Sequence, residues 1–129
     1  MAAAASGAFG EAQGLSRKDD NMSELISGGN VLKKTITAKD KAVILFYASW
    51  CPFSRAFLPV FERHAESRAE RLLRFLVDDA PEICDAYDVE VYPTVLFFEK
   101  GKVVRRLDGV AGRGLDEGRL TEFITSCGV

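Results

Sequence analysis

The sequence predicts an α/β fold with a central mixed sheet of four to five strands and helices on both faces. Apolar runs of strand length first alternate with stretches of helical periodicity, which favours parallel strands joined by crossover helices. Two later apolar runs are separated only by residues 99–102, a short polar loop with a glycine that is typical of a β-hairpin. Together these observations predict the order β-α-β-α-β-α-β-β-α.

The first predicted elements are short. Residues 23–26 form an edge strand, and the Ser-Gly-Gly-Asn sequence at 27–30 then breaks the chain. We expect Asn30 to cap a helix that continues to about Thr37. Residues 42–47 are a continuous apolar run, which predicts a strand buried on both faces.

A cysteine, Cys51, stands where this buried strand gives way to a helix. Pro52 suits the first turn of that helix, whereas Pro59 should kink it further along. The first N–H groups of a helix lack internal partners and favour negative charge, so a thiolate is stabilised there. Cys51 is therefore the candidate nucleophile. The alternative is an ordinary core cysteine, which the neighbouring Trp50 and Pro52 argue against.

The remaining elements follow in the same way from periodicity and turn signals. They are a buried strand at 72–77, a short helix at 81–87, a strong strand at 95–98, its hairpin partner at 103–107, a loop at 109–114 and an amphipathic helix at 115–126.

Length and composition predict one ordinary globular domain. The chain has 129 residues with a net charge of −2, which gives no reason to expect nucleic acid or an anionic membrane as a partner. No apolar run reaches the roughly 20 residues that a membrane helix needs. We interpret residues 1–21 as a flexible tail or an expression remnant and residues 22–129 as the domain.

Three cysteines are too few, and too odd in number, for a disulfide scaffold. With a single histidine and scattered cysteines, no metal site is predicted. Cys84 should be a buried, inert helical residue, with service as a second redox thiol as the alternative. Cys127 should be exposed near the end of the chain, where it offers a route to a disulfide-linked dimer of an otherwise monomeric protein.

Over roughly residues 23–125 the chain resembles the thioredoxin family. The resemblance is carried by residues 46–54, Pro59, Asp78, Tyr92-Pro93-Thr94, Gly101 and Gly109. It implies a thioredoxin fold. It also implies that the Tyr92–Pro93 peptide is cis, faces Cys51 and lines a peptide-binding groove.

The chain departs from the family pattern at two positions. Ser54 stands where a thioredoxin carries its second cysteine, and Leu45 stands where a buried carboxylate is usual. The two losses agree with each other, because a base that serves the second thiol has no task without it. Residues 46–55 look most like plant adenylylsulfate-reductase-like proteins, which also carry Cys-x-x-Ser. The alternative is that Ser54 is an engineered replacement of a native cysteine.

The resemblance therefore implies a monothiol oxidoreductase. Cys51 would form mixed disulfides with protein disulfides or glutathionylated proteins, and Ser54 would assist by bonding its thiolate. An external thiol such as glutathione would release the product, and no bound cofactor is expected. The alternatives are a non-catalytic client-binding module and a dithiol oxidoreductase that has lost its native cysteine. The expected substrate-binding residues are Trp50, Pro52, Phe53, Tyr92, Pro93 and Thr94.

The N-terminus lacks the basic and apolar regions of a secretory signal. We therefore expect a cytoplasmic protein, with an organelle reached after loss of an N-terminal peptide as the alternative.

Overall fold

The computed structural model describes residues 23–68, 70–78 and 80–129. The predicted tail at 1–21 lies outside these ranges. The described part has the predicted order of elements. They are β1 (Glu24–Ile26), α1 (Gly29–Ala38), β2 (Lys41–Tyr47), α2 (Pro52–Ala65), β3 (Leu72–Leu76), α3 (Pro81–Ala86), β4 (Thr94–Glu99), β5 (Lys102–Leu107) and α4 (Glu117–Cys127).

The five strands form one mixed sheet in the order β1-β3-β2-β4-β5. The pairs β1–β3 and β3–β2 are parallel, whereas β2–β4 and β4–β5 are antiparallel. The predicted edge position of the first strand is thus confirmed, and so is the hairpin. At the hairpin turn, Lys100 and Gly101 both have positive φ, at 53° and 85°.

Strand β2 lies at the centre and divides the core into two layers. Its alternate side chains enter opposite clusters, Ile44 and Phe46 on one face and Leu45 and Tyr47 on the other. Helices α1 and α3 cover the first face, and α2 and α4 cover the second. The prediction of a strand buried on both faces, with helices on both sides of the sheet, is therefore confirmed.

The predicted cap of α1 is wrong. The helix begins at Gly29, Gly28 takes the cap position with φ of 87°, and no side chain caps the end. A Cβ on Gly29 would come within 2.6 Å of Ile83 Cδ1. The close packing of this turn against α3 therefore favours glycine, and Asn30 falls inside the first turn.

Helices α2 and α4 end close to the predicted positions. Helix α2 continues through Pro59 as one helix. Helix α4 begins two residues later than expected, because the Asp116 carboxylate accepts a hydrogen bond of 2.9 Å from the Arg119 N–H and caps it. Within the described ranges, no helix has both the length and the apolar character that crossing a bilayer requires.

Candidate functional site

Cys51 occupies the N-cap position of α2, directly after the turn that follows β2. Its carbonyl accepts the first helical bond from Arg55 N at 3.0 Å, and Pro52 follows as the first helical residue. Only 7% of Cys51 is exposed. Its Sγ lies 3.7 Å from the Tyr92 carbonyl oxygen, to which the thiol donates a weak hydrogen bond. The nucleophile predicted from the sequence therefore meets the Tyr92–Pro93 segment across the fold.

The Tyr92–Pro93 peptide is cis, as the family resemblance implied. Pro93 is buried, and a Cβ on Gly109 would come within 2.4 Å of its carbonyl oxygen. Only glycine therefore allows the 109–114 loop to approach the proline so closely. Thr94 is also fully buried, and its hydroxyl donates to the Val91 carbonyl at 2.7 Å. The structure thus places Thr94 behind the loop as internal support, not on the predicted substrate surface.

Ser54 is fully buried one turn into α2. Its hydroxyl oxygen accepts a hydrogen bond of 3.2 Å from the Ala48 N–H, at the end of β2. Among the hydrogen bonds of the described residues, none joins Ser54 to Cys51. Ser54 therefore ties the start of the helix to the strand, and the predicted bond to the thiol is absent from this conformation.

Two aromatic side chains beside Cys51 face solvent, as the predicted client surface requires. Trp50 is 64% exposed, and Phe53 is also exposed. The Trp50 ring meets the half-buried Tyr92 ring edge-on, with centroids 5.7 Å apart and planes at 87°. Gly114, with φ of 74°, lies so close that a Cβ there would be 2.9 Å from Phe53 Cβ. These rings therefore form an exposed apolar rim around an almost covered thiol.

Asp78 stabilises the turn that leads into Cys51. Its carboxylate accepts a hydrogen bond of 3.0 Å from the Ser49 N–H and a second from the Ser49 hydroxyl. The hydroxyl bond, followed by the backbone bond, lowers the pKa of Asp78 below its ordinary value. The sequence did not predict this contact. The signal was there, because Ser49 and Asp78 follow the parallel neighbours β2 and β3.

Cys84 contacts the far end of Tyr92, which the sequence did not predict. The Tyr92 hydroxyl donates to Cys84 Sγ at 3.3 Å. Burial, and then the bond to Cys84, raise the pKa of Tyr92 to about 12. The hydroxyl is therefore protonated at neutral pH and remains a donor. The expected burial of Cys84 is confirmed.

The predicted exposure of Cys127 is wrong. Cys127 is the last residue of α4, is only 7% exposed, and packs in the core layer that α2 and α4 cover. This burial raises the pKa of its thiol. Helix α4 packs against the sheet through its last residue, so Cys127 is buried although it lies near the end of the chain. A disulfide-linked dimer would require that helix end to open.

The described ranges contain no group of three or more His, Cys, Asp or Glu side chains that could hold a metal ion. The groups that meet at the site are the Cys51 thiol, the Tyr92 carbonyl opposite it and the apolar rim around both.

Comparison with known proteins gives a consistent result. The thioredoxin family model matches residues 26–125. Thioredoxin of Mycoplasmoides gallisepticum is 33% identical over 79 residues, which cover 60% of this chain and 79% of that protein. The solved thioredoxin of Fasciola hepatica has a TM-score of 0.70 and 30% identity, and the match covers 80% of this chain and 97% of that one.

A plant relative bears on the motif prediction. The 5'-adenylylsulfate reductase-like protein 5 of Oryza sativa subsp. japonica is 30% identical over 83 residues, which cover 60% of this chain and 27% of that protein. This identity does not exceed that to the Mycoplasmoides thioredoxin. The special closeness to reductase-like proteins that we predicted from residues 46–55 therefore stays a prediction.

Proposed function

We propose, from the premise that this chain belongs to the thioredoxin family, that it is a monothiol thiol–disulfide oxidoreductase. Thioredoxin-like redox chemistry follows from the family itself, and the monothiol mechanism is the further step. The observation that carries this step is the pairing of Cys51, at the head of α2 and facing Tyr92, with a buried serine at position 54.

The first reaction is the attack of the Cys51 thiolate on a substrate disulfide. A bond forms between Cys51 Sγ and one substrate sulfur while the substrate S–S bond breaks, and the second sulfur leaves as a thiol after taking up a proton. The exposed Trp50 and Phe53 offer apolar contacts to the substrate chain.

The second reaction requires a thiol from outside the chain. Glutathione would attack the mixed disulfide, regenerate the Cys51 thiol and leave as the new disulfide, so that electrons and protons balance. Neither of the other cysteines is well placed to replace it. Cys84 contacts the hydroxyl end of Tyr92 whereas Cys51 faces its carbonyl, and Cys127 lies in the other core layer.

The test is turnover of a glutathionylated peptide with glutathione as the reductant. We expect turnover by the unchanged chain, loss of at least about 100-fold in Cys51→Ala, and full retention in Cys127→Ala, a matched change of a buried cysteine far from the site. Turnover that survives in Cys51→Ala, or none in the unchanged chain, would contradict the proposal.

A second candidate function is a client-binding module without turnover. It is favoured by the absence, among the described residues, of a hydrogen bond between Ser54 and Cys51, and by the exposed rings of Trp50 and Phe53. Client peptides that bind Cys51→Ala as tightly as the unchanged chain, but bind Trp50→Ala more weakly, would favour this function.

A third reading keeps the dithiol mechanism and treats Ser54 as a replaced cysteine. Leu45 weighs against it, because this position is fully buried among apolar side chains on the α2 side of the sheet. A Ser54→Cys variant that reduces one equivalent of a substrate disulfide without glutathione, and forms an internal disulfide between Cys51 and the new cysteine as it does so, would favour the dithiol mechanism.

We further propose protein disulfides or glutathionylated proteins as partners and no bound cofactor or metal. The site offers apolar rings and a thiol, which suit a peptide segment that carries a disulfide. A monomer in the cytoplasm remains our expectation. The net charge of −2 supports the expectation that nucleic acid and anionic membranes are not partners.

A further inference from the structure

Tyr92 is contacted at three points, and each contact concerns a different part of the residue. Its carbonyl oxygen faces the Cys51 thiol at 3.7 Å. Its ring meets the ring of Trp50 edge-on at 5.7 Å. Its hydroxyl donates to Cys84 Sγ at 3.3 Å. The orientation of Tyr92 therefore links the nucleophile, the exposed rim and a buried thiol that the proposed reaction does not use.

Cys84 is itself held firmly. It lies in α3, is only 6% exposed, and packs in the core layer between that helix and the sheet. Its carbonyl accepts a hydrogen bond of 2.8 Å from the Val89 N–H, which ties the end of α3 to the chain that leads into Tyr92. The thiol therefore presents a fixed acceptor to the tyrosine.

The Tyr92 hydroxyl needs such an acceptor. The ring is only half-buried, but an unpaired hydroxyl against the core is costly, and buried tyrosine hydroxyls usually have a partner. Without the sulfur, the ring would gain by turning its hydroxyl towards water. That rotation would break the edge-on contact between the Tyr92 ring and the Trp50 ring.

We propose that Cys84 is a positioning residue of this site. Its sulfur fixes the orientation of the Tyr92 ring, and the edge of that ring then packs against Trp50 beside the nucleophile. This inference rests on the proposed function only for its consequence, the binding of a client segment. Cys84 does not react. It acts through Tyr92, and it should affect recognition of a peptide more than attack on a small disulfide.

The consequence for activity is a separation of two parameters. We expect Cys84→Ala to raise KM for a glutathionylated peptide by about 3- to 10-fold, the range set by one lost hydrogen bond and one weakened aromatic contact. The kcat should stay within about twofold, because the position of Cys51 at the head of α2 is unchanged. Cys84→Ser, which restores a hydroxyl acceptor, should recover most of the KM.

A second readout does not depend on turnover. Trp50 is the only tryptophan, so the decay of its fluorescence anisotropy reports the mobility of that ring alone. We expect faster local motion in Cys84→Ala and in Tyr92→Phe, near-normal motion in Cys84→Ser, and no change in Cys127→Ala. The double variant Cys84→Ala with Tyr92→Phe should be no more mobile than either single variant, because both remove the same bond.

The results that would overturn the inference are distinct from those that would overturn the function. Unchanged Trp50 motion in Cys84→Ala, or Cys84→Ser that behaves like Cys84→Ala, would overturn the positioning role. If Cys84→Ala does not fold, the anisotropy of Tyr92→Phe alone tests the positioning role, since this change removes the hydrogen-bond donor without opening a cavity. An unchanged chain without turnover would overturn the proposed function and leave the anisotropy test valid.

Discussion

Asp78 has a larger part in this site than its exposed position suggests. Its carboxylate accepts hydrogen bonds from the backbone N–H and the hydroxyl of Ser49, two residues before Cys51. Arg55 adds a bond of 3.3 Å from its guanidinium to the Ser49 carbonyl. The turn between β2 and α2 is thus fixed from both sides, and it determines where Cys51 enters the helix.

The lowered pKa of Asp78 gives a prediction for the stability of the protein against pH. A lowered pKa means that the folded state favours the charged carboxylate. The stabilisation is therefore complete above the ordinary value of 3.8 and is lost as the pH falls below it. Asp78→Asn should lower the free energy of unfolding at pH 7, and its difference from the unchanged chain should shrink towards pH 3 and below.

Urea unfolding at pH 7, 5 and 3 measures this difference. Asp40→Asn is the matched control, because Asp40 is also exposed but lies in the turn before β2, away from the site. A difference for Asp78→Asn that is the same at all three values of pH, or is no larger than that for Asp40→Asn, would contradict the prediction that the charged carboxylate stabilises the turn.

At the scale of elements, Arg106 joins β5 to the chain that leads into the cis proline. Its guanidinium donates to the Tyr87 carbonyl at 3.1 Å, to the Asp88 carbonyl at 2.8 Å and to the Asp108 carboxylate. Asp88 has a positive φ of 56°, which is uncommon for a residue other than glycine. The bond to its carbonyl helps to hold the end of α3 in this conformation.

Arg106→Lys should loosen this segment. A lysine ammonium is a compact charge and cannot span the three acceptors that the flat guanidinium reaches together. We expect hydrogen exchange of the Val89 N–H, and of the residues up to Val91, to become roughly 3- to 10-fold faster. Mass spectrometry of exchanged peptides would measure the rates.

The neighbouring Arg105→Lys provides the control for that experiment. Successive residues of a strand point to opposite faces, so Arg105 lies away from the 87–91 segment. Equal exchange rates in the two variants would indicate that Arg106 contributes nothing beyond a positive charge on β5.

The order of elements was predictable because each depends on a local pattern. The signals lie within a few residues of the features that they predict. They include the apolar run of β2, the glycine in the turn between β4 and β5, and the proline at the start of α2. The prediction of the α1 cap was wrong because the position of the helix start depends on a contact that is not local in sequence. Gly29 packs tightly against Ile83, which is distant in sequence and approaches it only in the folded chain.

At the scale of the whole molecule, the site is assembled from three separate parts of the chain. The sequence identified Cys51 and Pro93 through the family motif, but it could not place Cys84 against Tyr92 or Ser49 against Asp78. The prediction that Cys127 is exposed was wrong, because it used only the distance of the residue from the chain end. That distance does not determine which face of the helix a residue lies on. Contacts of this kind depend on how the helices pack against the sheet.

The distribution of the three thiols over the molecule is central to the account. Cys51 and Cys84 are both buried in the core layer that α1 and α3 cover, where Cys84 contacts the Tyr92 hydroxyl, and Cys127 lies in the opposite layer. All three are free thiols in the structure. In this conformation, neither of the other two thiols is bonded to Cys51, which supports the proposal of a single nucleophile.

The most direct test is intact-protein mass spectrometry after one reaction with a disulfide-linked peptide pair. The account predicts an adduct of one peptide on Cys51 that persists after the released peptide thiol has been removed and is lost when glutathione is added. A spontaneous loss of the adduct that leaves the protein about 2 Da lighter, as an internal disulfide does, would contradict the account.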